Sequence, residues 1–371
     1  MSIPSFLALE AGGDGAHPAS WRRAFHAPDR LLTGDRIAAV ATAAERAGFH
    51  LLTFADAPAA AEDTAAEIHR PAPLLDALQS AAYAAPLTRT ICLAPVADTV
   101  FTEPFHIATA LATLDYVSGG RAGWIVRAGG TAAEGAAVGR SAVTGGGLRQ
   151  ETADAVEANR RLWDSWEDDA VIRDVPTGRY LDNNKLHYAD FRGDSYTVKG
   201  PSIIPRPPQG QLPVIAPLDL AAAAGAEAVL VSGATPQALA EEVAAARRTG
   251  AAVIAELDVV LDARGRSAAD RLAELEAYTP WRSGRARFVG SAAGLAARLT
   301  ELLETVDGVR LHPAVLDVDL PELSHAVLPL LFRSGVLAAP SPAPTLRGLL
   351  GLARPASRYA SSVSPSLKER S

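Results

Sequence analysis

Short apolar runs alternate with stretches of helical periodicity along most of the chain. Ile3 to Leu9, Phe49 to Phe54, Thr90 to Val96 and Arg121 to Arg127 read as strands in the first part. Pro213 to Ala216, Ala228 to Ser232, Ala252 to Leu261 and Val309 to Leu316 read as strands in the second. Between them lie helical patterns. Asp35 to Gly48 carries Ile37, Val40 and Ala41 at helical spacing and ends on a glycine suited to a C-cap. Pro104 to Tyr116 places Ile107, Leu111 and Leu114 on one face. Further helices are expected at Pro71 to Ala84, Leu148 to Asp169, Pro236 to Arg248, Ala292 to Thr305 and Pro321 to Phe332.

Strands that alternate with helices predict a parallel sheet with helical crossovers. About eight such units favour a closed (β/α)8 barrel, an α/β TIM barrel, over an open doubly wound sheet. An open dinucleotide-binding sheet would show its glycine fingerprint after the first strand. Glu10-Ala11-Gly12-Gly13-Asp14-Gly15 has the wrong spacing and no helix directly behind it. The expected organisation is one barrel over residues 1–337 with an insertion at about 128–212, then a Pro- and Ser-rich C-terminal arm over 338–371, partly disordered or wrapped on the surface. Ala128 to Gly147 reads as a mobile Gly/Ala-rich loop.

Composition narrows the function. With 371 residues and 48% hydrophobic content, the chain can bury a large core. A net charge of −7 and no basic stripe argue against nucleic acid. The single Cys92, in an apolar run, reads as a core thiol and excludes an intramolecular disulfide or a cysteine zinc site. The first residues lack a signal-peptide pattern and no apolar run approaches a membrane span, so a cytoplasmic location is expected.

In a barrel, ligands sit at the C-terminal ends of the strands. That rule nominates Glu10, Asp56, Ala97 with Asp98, Arg127, and Ala216 to Asp219. His17 and Trp21, in the loop after the first strand, and His69, before the second barrel helix, are candidate substrate-pocket residues. His312 ends the last strand and is a further candidate.

The most distinctive text is Glu103-Pro104-Phe105-His106-Ile107-Ala108, followed by Leu114-Asp115-Tyr116-Val117-Ser118-Gly119-Gly120-Arg121-Ala122-Gly123-Trp124. It resembles the bacterial luciferase-like flavin-dependent monooxygenases, in the nitrilotriacetate and dibenzothiophene-sulfone branch. Gly15 to Arg22, Ala47 to Asp56, Leu162 to Ala170, Val198 to Gly210 and Thr345 to Leu352 resemble that family in the same order. The resemblance implies a luciferase-like barrel that oxygenates a small organic substrate with reduced FMN from a separate flavin reductase, and that forms a homodimer or other homo-oligomer. It implies cofactor contacts at Asp56, Ala97, Ile125, Arg127 and Ala216.

Several of these positions depart from the family pattern. Where the family has an asparagine whose amide meets the flavin ring, this chain has Ile125, which cannot hydrogen-bond. The threonine-rich end of strand three is Pro95-Val96-Ala97. After strand five, the family's glycine- and serine-rich phosphate cradle is replaced by Ala216-Pro217-Leu218-Asp219, shortened by about a helical turn. Pro217 lacks an N–H and Asp219 repels a phosphate. The family's histidine in the insertion is Phe191 here. Three readings follow: a two-component FMN monooxygenase, a non-catalytic luciferase-like paralogue or partner subunit without flavin, and an oxidoreductase using the deazaflavin F420.

Overall fold

The computed structural model describes residues 3–55 and 74–360. Eight parallel strands form the barrel: β1 (Phe6–Glu10), β2 (Leu51–Phe54), β3 (Cys92–Asp98), β4 (Trp124–Arg127), β5 (Val214–Pro217), β6 (Ala228–Val231), β7 (Ala252–Leu261) and β8 (Gly308–Pro313). Each pairs in parallel with the next in chain order through β7, β7 pairs with β8, and β8 pairs with β1, which closes the ring. The α/β barrel read from the alternation is therefore the fold. No helix among the described residues is long and apolar enough to cross a membrane.

Alternation along each strand sorts its side chains between two cores. One set, including Leu7, Leu52, Leu93, Trp124 and Val214, faces the surrounding helices. The other fills the lumen: Phe6 and Cys92, then Ala8, Ala94, Ile125, Ile215, Leu230 and Ile254. Burial pushes the Cys92 thiol up to about 12, so it is an inert core group.

Some elements differ from the expected ones. The last strand stops at Pro313, and Leu316 opens the helix Leu316–Glu322, which continues through a π turn at Leu323–Val327 into Leu328–Arg333. Pro321 therefore lies inside a helix rather than at its start. An additional strand, Ala286–Gly290, pairs with the far end of β7, and the helix Ala268–Glu276 precedes it. Ala128 to Gly147, expected as a loop, contains the helix Ala132–Ala137 with a full Thr131/Glu134 capping box. The long helix Gly146–Asp164 ends five residues before the expected Asp169.

The arm after residue 337 is anchored over its described part. Leu346 and Leu350 are buried and join the lumen cluster from the N-terminal end of the barrel. Gly123 makes room for them: a Cβ there would stand 2.1 Å from Leu346 Cδ2. Residues 361–371 lie outside the described residues.

Candidate active site at the barrel mouth

Above its apolar layers the lumen turns ionic. The inward positions of the last strand turns are Glu10 on β1, Thr53 on β2, Glu256 on β7 and Arg310 on β8, brought side by side by the strand register. Arg310 Nε donates to Thr53 Oγ1 at 2.9 Å, Nη1 to Glu256 Oε1 at 3.0 Å, and Nη2 to Glu10 Oε2. Glu10 Oε1 accepts the main-chain N–H groups of Gly12 and Ala55, both at 2.9 Å. A buried cation is tolerable only when paired and hydrogen-bonded in this way.

One layer higher, His312 Nε2 meets Glu256 Oε1 at 3.0 Å. Burial disfavours the imidazolium and outweighs the neighbouring carboxylate, so the His312 pKa is lowered. Burial pushes Glu256 up, but the hydrogen bond from His312 and the Arg310 charge prevail and bring it down to about 2. Arg285 Nε donates to Asp258 Oδ1 at 2.6 Å.

The loop after β1 roofs this corner. Gly15 adopts φ +129°, and a Cβ on it would stand 2.5 Å from the Ala314 carbonyl oxygen, so the close approach requires glycine. Ala16 N donates to Pro313 O at 2.8 Å, and Leu316 N to Asp14 O at 2.8 Å. These bonds set His17 over the mouth, where Nδ1 accepts Ala19 N at 3.0 Å and the ring meets Trp281 edge-on at 5.1 Å. Burial, reinforced by the Arg287 charge, lowers its pKa to about 4. The loop and strand ends border an open cavity of about 350 Å³ lined by His17, Glu10, Glu256, Arg285, Arg310 and His312, among others.

The other sequence candidates fall elsewhere. Trp21 is 47% exposed on the short turn Ser20–Arg23, with the Arg22 guanidinium 4.5 Å from its ring centre. Ile125 is buried in the lumen core beneath the mouth. Ala97 and Ala216 turn their side chains outward to the helices, so only their main chain borders the barrel top. The Ala97 carbonyl is already engaged by Trp124 Nε1 at 3.2 Å. Arg127 lies at the mouth end of β4 and is paired with two carboxylates: Nη1 donates to Asp98 Oδ2 at 2.8 Å and Nη2 to Glu134. Asp56 and His69 lie outside the described residues.

Sequence reasoning nominated Glu10 and His312 but passed over Glu256, Asp258, Arg285 and Arg310. Glu256-Leu257-Asp258 and Arg310-Leu311-His312 each place two charged or polar residues at alternate positions of a strand that is otherwise apolar. That spacing of two is the signal: it sends both side chains to the same lumenal face.

The FMN implied by the sequence resemblance would lie at the ends of β3, β4 and β5. Pro217 leads directly into the helix Leu218–Ala224, which has no side-chain cap and carries Asp219 in its first turn. No glycine- or hydroxyl-rich loop stands there to surround a phosphate. With Ile125 in the core and Arg127 spent on two carboxylates, these residues do not fit the flavin in the family's pose.

The model of the luciferase-like monooxygenase family matches residues 18–318. N-acetyl-S-(2-succino)cysteine monooxygenase of Bacillus subtilis (strain 168) is 36% identical over 220 residues, covering 56% of this chain and 47% of that protein. Nitrilotriacetate monooxygenase component A of Aminobacter aminovorans is 35% identical over 211 residues, covering 54% and 46%. The chain thus spans about half the length of the curated relatives it matches. In fold it is similar to the long-chain alkane monooxygenase LadA, with a TM-score of 0.83, 20% identity, and 95% and 96% of the two chains covered. With a match that spans the barrel from the first loop to the helix after β8, the chain belongs to the luciferase-like monooxygenase family.

Proposed function

We propose that this chain is the oxygenase component of a two-component monooxygenase, which oxidises a small organic molecule at the barrel mouth with reduced flavin supplied by a separate reductase. Family membership over residues 18–318 supports the reaction class. The observation that carries the reading is the mouth cavity with the Glu256–His312 pair on its wall. A neutral imidazole oriented by a carboxylate is a group that accepts or holds a proton of a bound substrate. Arg310 keeps that carboxylate ionised and fixed. The loop from Gly15 to His17 covers one side of the same place. A homo-oligomer and a reductase partner belong to this reading.

No step through the flavin is derived, because the residues at the ends of β3 to β5 do not offer its expected contacts. That same observation favours a second reading, a barrel that has lost flavin and serves as a partner subunit. The deazaflavin reading has only the shared barrel behind it.

Anaerobic titration of the protein with reduced FMN, followed by fluorescence or heat, separates them. Saturable micromolar binding is the expected result. Absence of binding up to millimolar flavin overturns the oxygenase reading in favour of the partner subunit, and hydride exchange with F420 then tests the third.

A further inference from the structure

The loop that covers one side of the mouth is tied back on itself through His26. Both nitrogens of that ring meet oxygens: Nδ1 lies 2.9 Å from the Ala27 carbonyl, and Nε2 lies 2.5 Å from Asp14 Oδ1. A carbonyl and a carboxylate accept hydrogen bonds and do not donate them. Both ring nitrogens must therefore carry a proton, which only the imidazolium does. A neutral ring keeps one of the two bonds and turns a lone pair towards the other oxygen. The His26 side chain is 14% exposed, so water replaces the lost bond poorly.

Charge balance points the same way. The described charged groups around His26 are Asp14 on its own loop, Arg36 on the helix Gly34–Ala47 and Asp317 on the helix Leu316–Glu322. Arg36 Nη1 donates to Asp317, and Arg36 Nη2 lies 3.6 Å from Asp14 Oδ1. Asp317 Oδ2 also accepts Phe25 N at 2.7 Å. Two carboxylates against Arg36 alone leave one negative charge, and the imidazolium cancels it. Burial disfavours the charged ring, but its bonds to Ala27 and Asp14 and the Asp14 charge prevail, so the His26 pKa is raised.

Asp14 is where this cluster reaches the mouth. It is 5% exposed and lines the mouth cavity, and its carbonyl accepts Leu316 N at 2.8 Å. The bond from His26 closes the segment between residues 14 and 26, which carries His17, into one tied loop.

We propose that His26 is a proton-operated latch on the mouth: as imidazolium it holds the loop from Asp14 to Ala27 closed, and loss of its proton loosens it. Because the folded group binds its proton more tightly than the unfolded one, the latch is complete below the ordinary value of 6.5 and is lost as pH rises through the raised value. His17, on the same loop, titrates below 6.5 and in the opposite sense. The latch goes beyond the proposed function and does not depend on it.

Two measurements on the full chain, free of flavin, test it. The first is a histidine-nitrogen NMR titration, in which His26→Gln identifies the His26 signal by its loss. Asp14→Asn, which keeps an acceptor and removes the charge, identifies the same signal by moving its midpoint down. Both His26 nitrogens are expected to be protonated at about pH 6.5, with a midpoint above that value. The second is hydrogen exchange over residues 11–27 at about pH 6.5 and 8.5, corrected for the intrinsic effect of pH, in wild type and His26→Gln. Comparing the two proteins cancels the titration of His17. Wild type is expected to exchange more slowly at the lower pH. For a midpoint one unit above 6.5, that advantage shrinks about fivefold at the higher pH. The latch is overturned if the His26 midpoint is 6.5 or lower, if the two proteins exchange alike at the lower pH, or if their difference does not change with pH. The wild-type titration with Asp14→Asn decides the matter if His26→Gln does not fold. Failure of the latch and failure to bind reduced FMN are read in separate experiments.

Discussion

His312 and Arg310, two residues apart on β8, converge on the same oxygen of Glu256, each at 3.0 Å. The carboxylate thereby links His312, a group at the mouth suited to proton transfer, to the buried cation that holds the strand ends together. A shared acceptor of this kind couples its donors, so changes to any of the three are expected to be non-additive.

Glu256→Gln should therefore act on both. It leaves Arg310 with Glu10 as its only anion among the described residues, and costs about 3 kcal/mol, the low end for breaking a buried pair. The Glu256 pKa is depressed, so its contribution is fully present above the unfolded value of 4.5 and is lost as pH falls towards about 2. Urea denaturation of wild type and variant at neutral pH and near pH 3 checks this. The gap between the two should narrow in acid.

His17 titrates in a different window. Its pKa falls from 6.5 to about 4 on folding, chiefly through burial and secondarily through Arg287. The folded state binds the proton less well than the unfolded one, so the contribution of His17 is intact above pH 6.5 and is lost as pH drops through the window down to about 4. His17→Phe should flatten the loss of stability between pH 7 and 5, measured as the shift of the denaturation midpoint. An unchanged slope would contradict the burial argument.

Arg127 is a structural tie in this geometry. It bridges Asp98 and Glu134, both buried, and so fastens the helix Ala132–Ala137 to the end of β3. Arg127→Gln strands two carboxylates and should cost about 2 kcal/mol, reduced from the fully buried case because the arginine is partly exposed. Thermal unfolding measures the cost, and proteolysis within 128–147 should accelerate.

The floor of the barrel gives the fourth test. Leu346→Ala removes a fully buried side chain from the lumen cluster and should destabilise by about 3 kcal/mol. Gly123→Ala would push a methyl group into Leu346 and should cost about 1–3 kcal/mol. Combining the two should recover part of the loss, because the smaller residue vacates the space that the added methyl needs. Strict additivity in chemical denaturation would refute the contact.

The text that made the family legible turns out to be scaffold. Asp115 accepts Gln209 N at 3.0 Å and Gln209 Nε2 at 2.6 Å, clamping the segment that leads into β5. Arg121 is buried and donates to Thr88 Oγ1 at 3.0 Å, Ala85 O at 2.8 Å and Ser118 O at 2.7 Å, among others. These residues identify the barrel without touching its mouth. The mouth residues carry no such run of text, because each strand contributes only one or two of them.

The amino-acid sequence by itself determined the eight-strand rhythm and most strand limits to within a few residues, since period-two burial and helical spacing are local properties. It also determined that the Ile125 side chain has no hydrogen-bonding group and that Pro217 has no N–H, since covalent chemistry is independent of the fold. Only the tertiary structure decided that Arg127 is spent on Asp98 and Glu134, that Leu346 returns to floor the barrel, and that Glu10 meets Arg310 across 300 positions of chain. The reason is closure: joining β8 to β1 and β7 brings the two ends of the chain to one corner, and no local pattern records which side chains will meet there.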